Sequence, residues 1–178
     1  MMTESSVNEL AAELAQLKAK LQRLEDERAI SDLISRYGYL VDLPMEEEWL
    51  ALFTEDGVMD AVYGHGVYEG QSRWEGIDAL RGFINDPAGR RRPEAYTRTM
   101  HLTNLNMVIH IDGDEATADA YSAVILRPHE GPLRLTTAGV SQWKCRRVDG
   151  VWKLVQRTRR EIADSKGTAE LVARSLED

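Results

Sequence analysis

The stretch MHLTNLNMVIHIDGDEATADAYSAVILR, residues 100–127, decides the fold class. Its arms, Met100–Ile111 and Ala116–Arg127, are long and rich in β-branched and aromatic residues, and Asp112-Gly113-Asp114 between them is a hairpin turn. Toward the C-terminus the pattern repeats: Leu133–Val148 and Val151–Ile162 flank a second turn signal, Asp149-Gly150. The second half of the chain therefore predicts a meander of long antiparallel strands. The tail, 163–178, carries Ala169, Leu171, Val172 and Leu176 at spacings that suit a short terminal helix.

Upstream the period changes. Leu10, Leu14, Leu17, Leu21 and Leu24 recur at spacings of 4, 3, 4 and 3, an a/d seam on a helix. Two heptads are too few for a strong independent coiled coil, so the seam needs cover from the domain or from another subunit. A subunit contact is the expectation. The apolar pattern continues through Ile30, Leu33, Ile34 and Tyr37, so the helix should run to about Val41. Pro44 should end it, because the residue before a proline avoids the α region. Pro44 also suits the start of a second helix, whose N-terminal dipole Glu46, Glu47 and Glu48 complement, and which should end near Phe53. Val58–Tyr63 reads as a strand, 64–73 as a glycine-rich loop and Gly76–Ile84 as a third helix. Residues 85–98 read as a long irregular connection, the kind that forms lids. Helices first and a meander second give an α+β domain, with the helices on one face of a curved sheet. The expected organisation is a helical extension at 1–24, one domain at 25–163 and a tail at 164–178.

Composition narrows the function. The chain has 178 residues, 43% hydrophobic and 29% charged, with a net charge of −8 and a pI near 5.1. A general nucleic-acid binder needs a basic face, so nucleic acid is not an expected partner. The run Arg90-Arg91-Arg92 is either a solvated loop or an anion-binding lid for a phosphate-bearing substrate or carrier. The single cysteine, Cys145, excludes an intrachain disulfide, suits a reducing cytoplasm and reads as a packing residue. With no apolar signal core and no stretch of membrane-spanning length, a cytoplasmic protein with no membrane partner is expected. His65, His110 and His129 form no metal-ligand spacing, and no metal or cofactor is expected.

His101 is the residue that suggests chemistry. Alternation along the strand puts it on one face with Thr103, Leu105, Met107, Ile109 and Ile111. An imidazole on an apolar face needs a hydrogen-bond partner. It is either a core histidine bonded to backbone or a base whose tautomer a carboxylate sets, and Asp42 is the plausible carboxylate. Asp42 falls where a helix C-terminus is expected, a position unfavourable to negative charge unless a cation or donor compensates. Its plainer role is a turn residue before Pro44.

Four stretches carry a family resemblance: AISDLISRY (29–37), WLALFTED (49–56), DGDEATA (112–118) and DGVWK (149–153). Together they span about residues 25–162 and resemble the nuclear transport factor 2-like superfamily, in particular its SnoaL-like branch. The resemblance implies a cone-shaped curved sheet with N-terminal helices on its concave face and a site inside the cone. Asp42, His101 and Arg157 further resemble the dehydrochlorinases, bile-acid 7α-dehydratases and scytalone dehydratases. Tyr37 stands five residues before Asp42, as in the bile-acid enzymes. That likeness implies a cofactor-free lyase acting on a bulky hydrophobic alicyclic or aromatic molecule. His101 would be the base and Asp42 its orienter, with Tyr37 and Arg157 stabilising negative charge. Met59, Asp60, Tyr121 and Arg159 would contact substrate. Related lyases imply a homotrimer, with a homodimer as the alternative. Retro-aldol cleavage would use the same layout.

Two other readings stay open. Asp60 lies where ketosteroid isomerases carry their base, and Tyr37 where they carry an oxyanion donor. Tyr121 or Ala123 occupies the region of their second, protonated acid, a departure that makes a proton-shuttling isomerase the second reading. A binding module without chemistry is the third.

Overall fold

The computed structural model describes residues 4–43, 45–63, 70–86, 96–162 and 165–176. Helix α1 (Glu4–Asp42) is unbroken, and a five-residue α2 (Glu46–Leu50) follows it. Strands β1 (Phe53–Tyr63) and β2 (Gly70–Glu75) come next, then α3 (Gly76–Asn85). The meander is β3 (Tyr96–Asp112), β4 (Glu115–Pro128), β5 (Arg134–Val148) and β6 (Val151–Glu161), and α4 (Ser165–Ser175) closes the described chain. Among the described residues no helix is long and apolar enough to cross a membrane.

The strands form one curved sheet in the order β2-β1-β6-β5-β4-β3. Its meander is antiparallel, as the hairpin signals require. Asp149 and Gly150 both adopt positive φ, 50° and 79°, the conformation a tight two-residue hairpin needs. Curvature is built into β3, where the register with β4 shifts on either side of Leu105 and Asn106 sits at φ 52°. The resulting α+β architecture is the one expected, with four differences. β3 starts at Tyr96, inside the expected 85–98 connection. β1 starts at Phe53, so the expected second helix is shorter and the strand longer. Residues 70–73, expected as loop, belong to β2, because Asp60 and its neighbours in β1 offer an edge to pair with. β1 runs parallel to β6, so the sheet is mixed rather than wholly antiparallel. Pro44 and the Arg90–Arg92 run lie outside the described residues.

One face of the sheet holds α1. Ile30, Leu33, Ile34, Tyr37 and Leu40 bury against Trp143, Leu154, Trp49 and Phe53, with Tyr37 and Trp143 ring centroids 4.9 Å apart. Cys145 is fully buried in this core, and burial pushes its thiol up to about 12, so it packs rather than reacts. The opposite face holds α4, whose Leu171 is buried and with Glu170 borders a groove along Gln142, Gln156, Thr158 and Arg160.

Candidate active site

Asp42 ends α1 and His101 lies early in β3. They meet because the helix settles directly onto the strand. A Cβ at Gly38 would lie 2.9 Å from the His101 carbonyl oxygen, so only glycine allows this approach. One turn later the Asp42 carboxylate reaches His101. The imidazole Nδ1 lies 2.6 Å from Asp42 Oδ1, the His101 backbone N–H donates to Oδ2 at 2.8 Å, and the Thr99 hydroxyl donates to Oδ1 at 2.9 Å. The two side chains are only 11% and 14% exposed. Burial alone would raise the Asp42 carboxyl. The His101 ring, its charge when protonated, its backbone N–H and the Thr99 hydroxyl outweigh burial and hold the carboxyl below its usual range. An ionised Asp42 selects the tautomer with the proton on Nδ1 and the basic lone pair on Nε2.

A second polar cluster lies deeper on the same face. Arg157 is buried, donates to the Tyr37 hydroxyl at 2.8 Å and to Ser141 Oγ at 3.1 Å, and stacks over the Tyr37 and Trp143 rings. Ser141 is paired in turn with Ser122. Arg157 differs from the other buried and half-buried arginines. Arg147 pairs with Asp26, Arg159 with Glu161 and Arg160 with Asp60. Among the described residues no carboxylate meets Arg157, and its Nε has no acceptor. A buried cation held only by neutral hydroxyls and rings is a place where negative charge on a ligand is worth most.

Strand alternation sorts the remaining candidates. Met59 pairs with Arg157 in register and its sulfur lies 3.6 Å from the Tyr37 hydroxyl, so it is on the α1 side and fully in the core. Arg159 also faces inward, locked to Glu161 and Thr137. Asp60 does not face inward. Period 2 turns it to the other face, where Arg160 (2.8 Å) and Arg73 (3.3 Å) neutralise it. Asp60 therefore does not share a face with Tyr37, as the isomerase reading and a substrate contact would both require. Tyr121 is likewise on the outer face: it is half exposed beside Val108, Val140 and Leu176, while its neighbour Ser122 points in.

Sequence reasoning missed Thr99, Ser122, Ser141, Thr137 and Glu161. A signal existed for some of them. Small or polar residues alternate at Ala118, Ala120 and Ser122 and at Gly139 and Ser141, the spacing of inward positions that leave room inside a curved sheet. Arg157, Arg159 and Glu161 share the same alternation on β6.

Residues 22–158 match the SnoaL-like domain. The chain belongs to the SnoaL-like family. Solved structures agree with this SnoaL-like fold. An NTF2-like protein of cystatin-like fold from Novosphingobium aromaticivorans is 28% identical, with a TM-score of 0.76 over 93% of this chain and 97% of that one. A provisionally assigned scytalone dehydratase from the same species is also 28% identical, with a TM-score of 0.61 over 78% and 85% of the two chains. A provisionally assigned aromatic ring hydroxylase, again from Novosphingobium, is 25% identical, with a TM-score of 0.62 over 78% and 90%. No match was found among curated proteins. The family includes dehydratases and isomerases, so membership alone leaves the reaction open.

Proposed function

We propose that this SnoaL-like protein is a cofactor-independent cytoplasmic lyase that eliminates water, or a related leaving group, from a bulky hydrophobic alicyclic or aromatic molecule. The observation that carries the reading is the two-point grip of Asp42 on His101, on the ring at 2.6 Å and on the backbone N–H at 2.8 Å. Such a carboxylate orients a histidine base and stabilises the imidazolium that forms when it accepts a proton. In the proposed reaction His101 Nε2 takes a proton from carbon. The C–H electron pair becomes the new double bond, and the leaving group departs from the adjacent carbon with its own electron pair. Arg157, braced by Tyr37 and Ser141, offsets the negative charge that develops. Arg159 and Met59 shape the inner wall. The likeness to a provisionally assigned scytalone dehydratase supports this class of reaction and substrate. The same layout also serves a retro-aldol cleavage, in which a carbon–carbon bond breaks instead. A homo-oligomer, a trimer ahead of a dimer, is part of this proposal.

The test is a panel of hydroxylated alicyclic and aromatic ketones that carry an acidic C–H next to a leaving group. The purified protein, in chelator and without added cofactor, should generate the ultraviolet absorbance of a new conjugated double bond. A folded His101→Ala variant should not. Equal rates for both proteins on every active compound would remove His101 from the mechanism.

A further inference from the structure

From Asn8 to Glu25 every residue of α1 is exposed. The first anchor to the domain is buried Asp26, which accepts hydrogen bonds from Arg147 and the Trp152 indole. The helix before it, about 27 Å at 1.5 Å per residue, carries Leu10, Leu14, Leu17, Leu21 and Leu24 at exposures of 57, 52, 62, 56 and 62%. A bare helix of this length is marginal in water, and an uncovered leucine stripe is a contact surface. The next seam position is Arg28, bonded to Asp32, so the apolar stripe stops where the helix reaches the sheet.

The charges beside the stripe say what covers it. With Leu14 and Leu21 at a and Leu10, Leu17 and Leu24 at d, Glu13 and Lys20 occupy g, and Lys18 and Glu25 occupy e. In a parallel, in-register pair each g residue faces the e residue of the following heptad on its neighbour. Glu13 then meets Lys18, and Lys20 meets Glu25, in both directions. None of these four side chains has an ion-pair partner within the described chain, whereas Arg23 and Arg28 pair along their own helix. An antiparallel overlap that sets Leu14 against Leu24 and Leu17 against Leu21 would instead bring Lys18 against Lys18 and Lys20 against Lys20.

We propose that the leucine face of residues 10–24 binds another copy of this chain as a parallel, in-register coiled coil. The domains of the joined copies then lie at the same end of the coil, about a common symmetry axis. The contact does not depend on the proposed reaction.

Cysteine cross-linking of the full chain tests the geometry. Leu10→Cys and Leu24→Cys, made separately, should each form covalent dimers under mild oxidation, while buried Cys145 stays out of the reaction. A mixture of the two variants should give only same-position links. Links solely between position 10 and position 24 would overturn the proposal, as would none at either site. Charge reversal gives an independent result without touching any buried residue. Lys18→Glu with Lys20→Glu makes every facing pair repulsive and should weaken self-association by roughly tenfold or more. Adding Glu13→Lys and Glu25→Lys should restore it. A solution mass unchanged by the double reversal, or a wild-type monomer at micromolar concentration, would show that the seam is not this interface.

Discussion

Asp42 holds His101 at two points, with one carboxylate oxygen 2.6 Å from the ring Nδ1 and the other accepting the backbone N–H at 2.8 Å. The backbone N–H and the Thr99 hydroxyl fix the carboxylate relative to the strand that carries His101, so the ring meets an acceptor already held in place. Orientation of this kind is what a positioned base requires. On a turned-over substrate, His101→Ala should lower kcat by roughly 10²–10⁴-fold, the usual worth of a general base. Asp42→Asn should lower it by a similar or smaller factor with an unchanged circular dichroism spectrum. Full activity in either folded variant would contradict the dyad.

Arg157 gives a test that separates a functional cation from a structural one. It has no carboxylate partner among the described residues, whereas Arg147 is fastened to Asp26 by two bonds. Removing an uncompensated buried charge should be nearly neutral for stability or favourable. Arg157→Met should therefore keep or raise the melting temperature while cutting turnover, and Arg147→Met should lower the melting temperature. A collapse of stability in Arg157→Met would assign that residue to the framework instead.

Asp60→Asn should leave kcat within about twofold of wild type. The residue is on the outer face, paired with Arg160 and Arg73 and turned away from the proposed base. Loss of activity in Asp60→Asn together with its retention in His101→Ala would replace the lyase with a proton-shuttling isomerase.

Acid stability should follow Asp26 and Asp42. Hydrogen bonds from Arg147 hold the Asp26 carboxyl low, and donors from His101 and Thr99 overcome burial to lower Asp42. A carboxyl that binds its proton less readily in the folded state stabilises the fold fully above its unfolded value, about 3.9. That stabilisation is lost as pH falls through the lower folded value. Urea midpoints should drop steeply below about pH 4. Asp26→Asn should cost on the order of 3 kcal/mol at neutral pH and flatten the acid slope. Parallel wild-type and variant pH curves would rule this out.

Gly38→Ala sets two effects against each other. Alanine favours a helix over glycine by about 1 kcal/mol. The new Cβ, however, would lie 2.9 Å from the His101 carbonyl oxygen, a backbone atom that cannot move aside cheaply. The variant should be less stable by calorimetry and less active, because displacing α1 also displaces Asp42. A gain in stability would mean that the contact is looser than the structure shows.

Much of this molecule was legible before any fold was seen. The hairpin turns at Asp112-Gly113 and Asp149-Gly150, the period-2 strands and the leucine seam are local features, determined by residues within one turn or one strand of each other. They were enough for an α+β domain with a helical extension, and the family likeness brought Asp42, His101, Tyr37 and Arg157 together as candidates. Facing direction was harder. Asp60 and Tyr121 looked equally suited to the interior, but a strand has two faces, and its own sequence does not say which one meets α1. Register of β1 with β6, and of β4 with β3 and β5, decided that, sending Asp60 to Arg160 and Tyr121 to the outer surface. The same holds for β2 and for the parallel β1–β6 pair, which depend on partners distant in sequence. Only the packing of α1 on β3 at Gly38 brought the Asp42 carboxylate within 2.6 Å of the His101 ring, across 59 residues of chain. Local chemistry chooses the elements, but contacts between elements are set by the lowest free energy of the whole core, which no single segment carries.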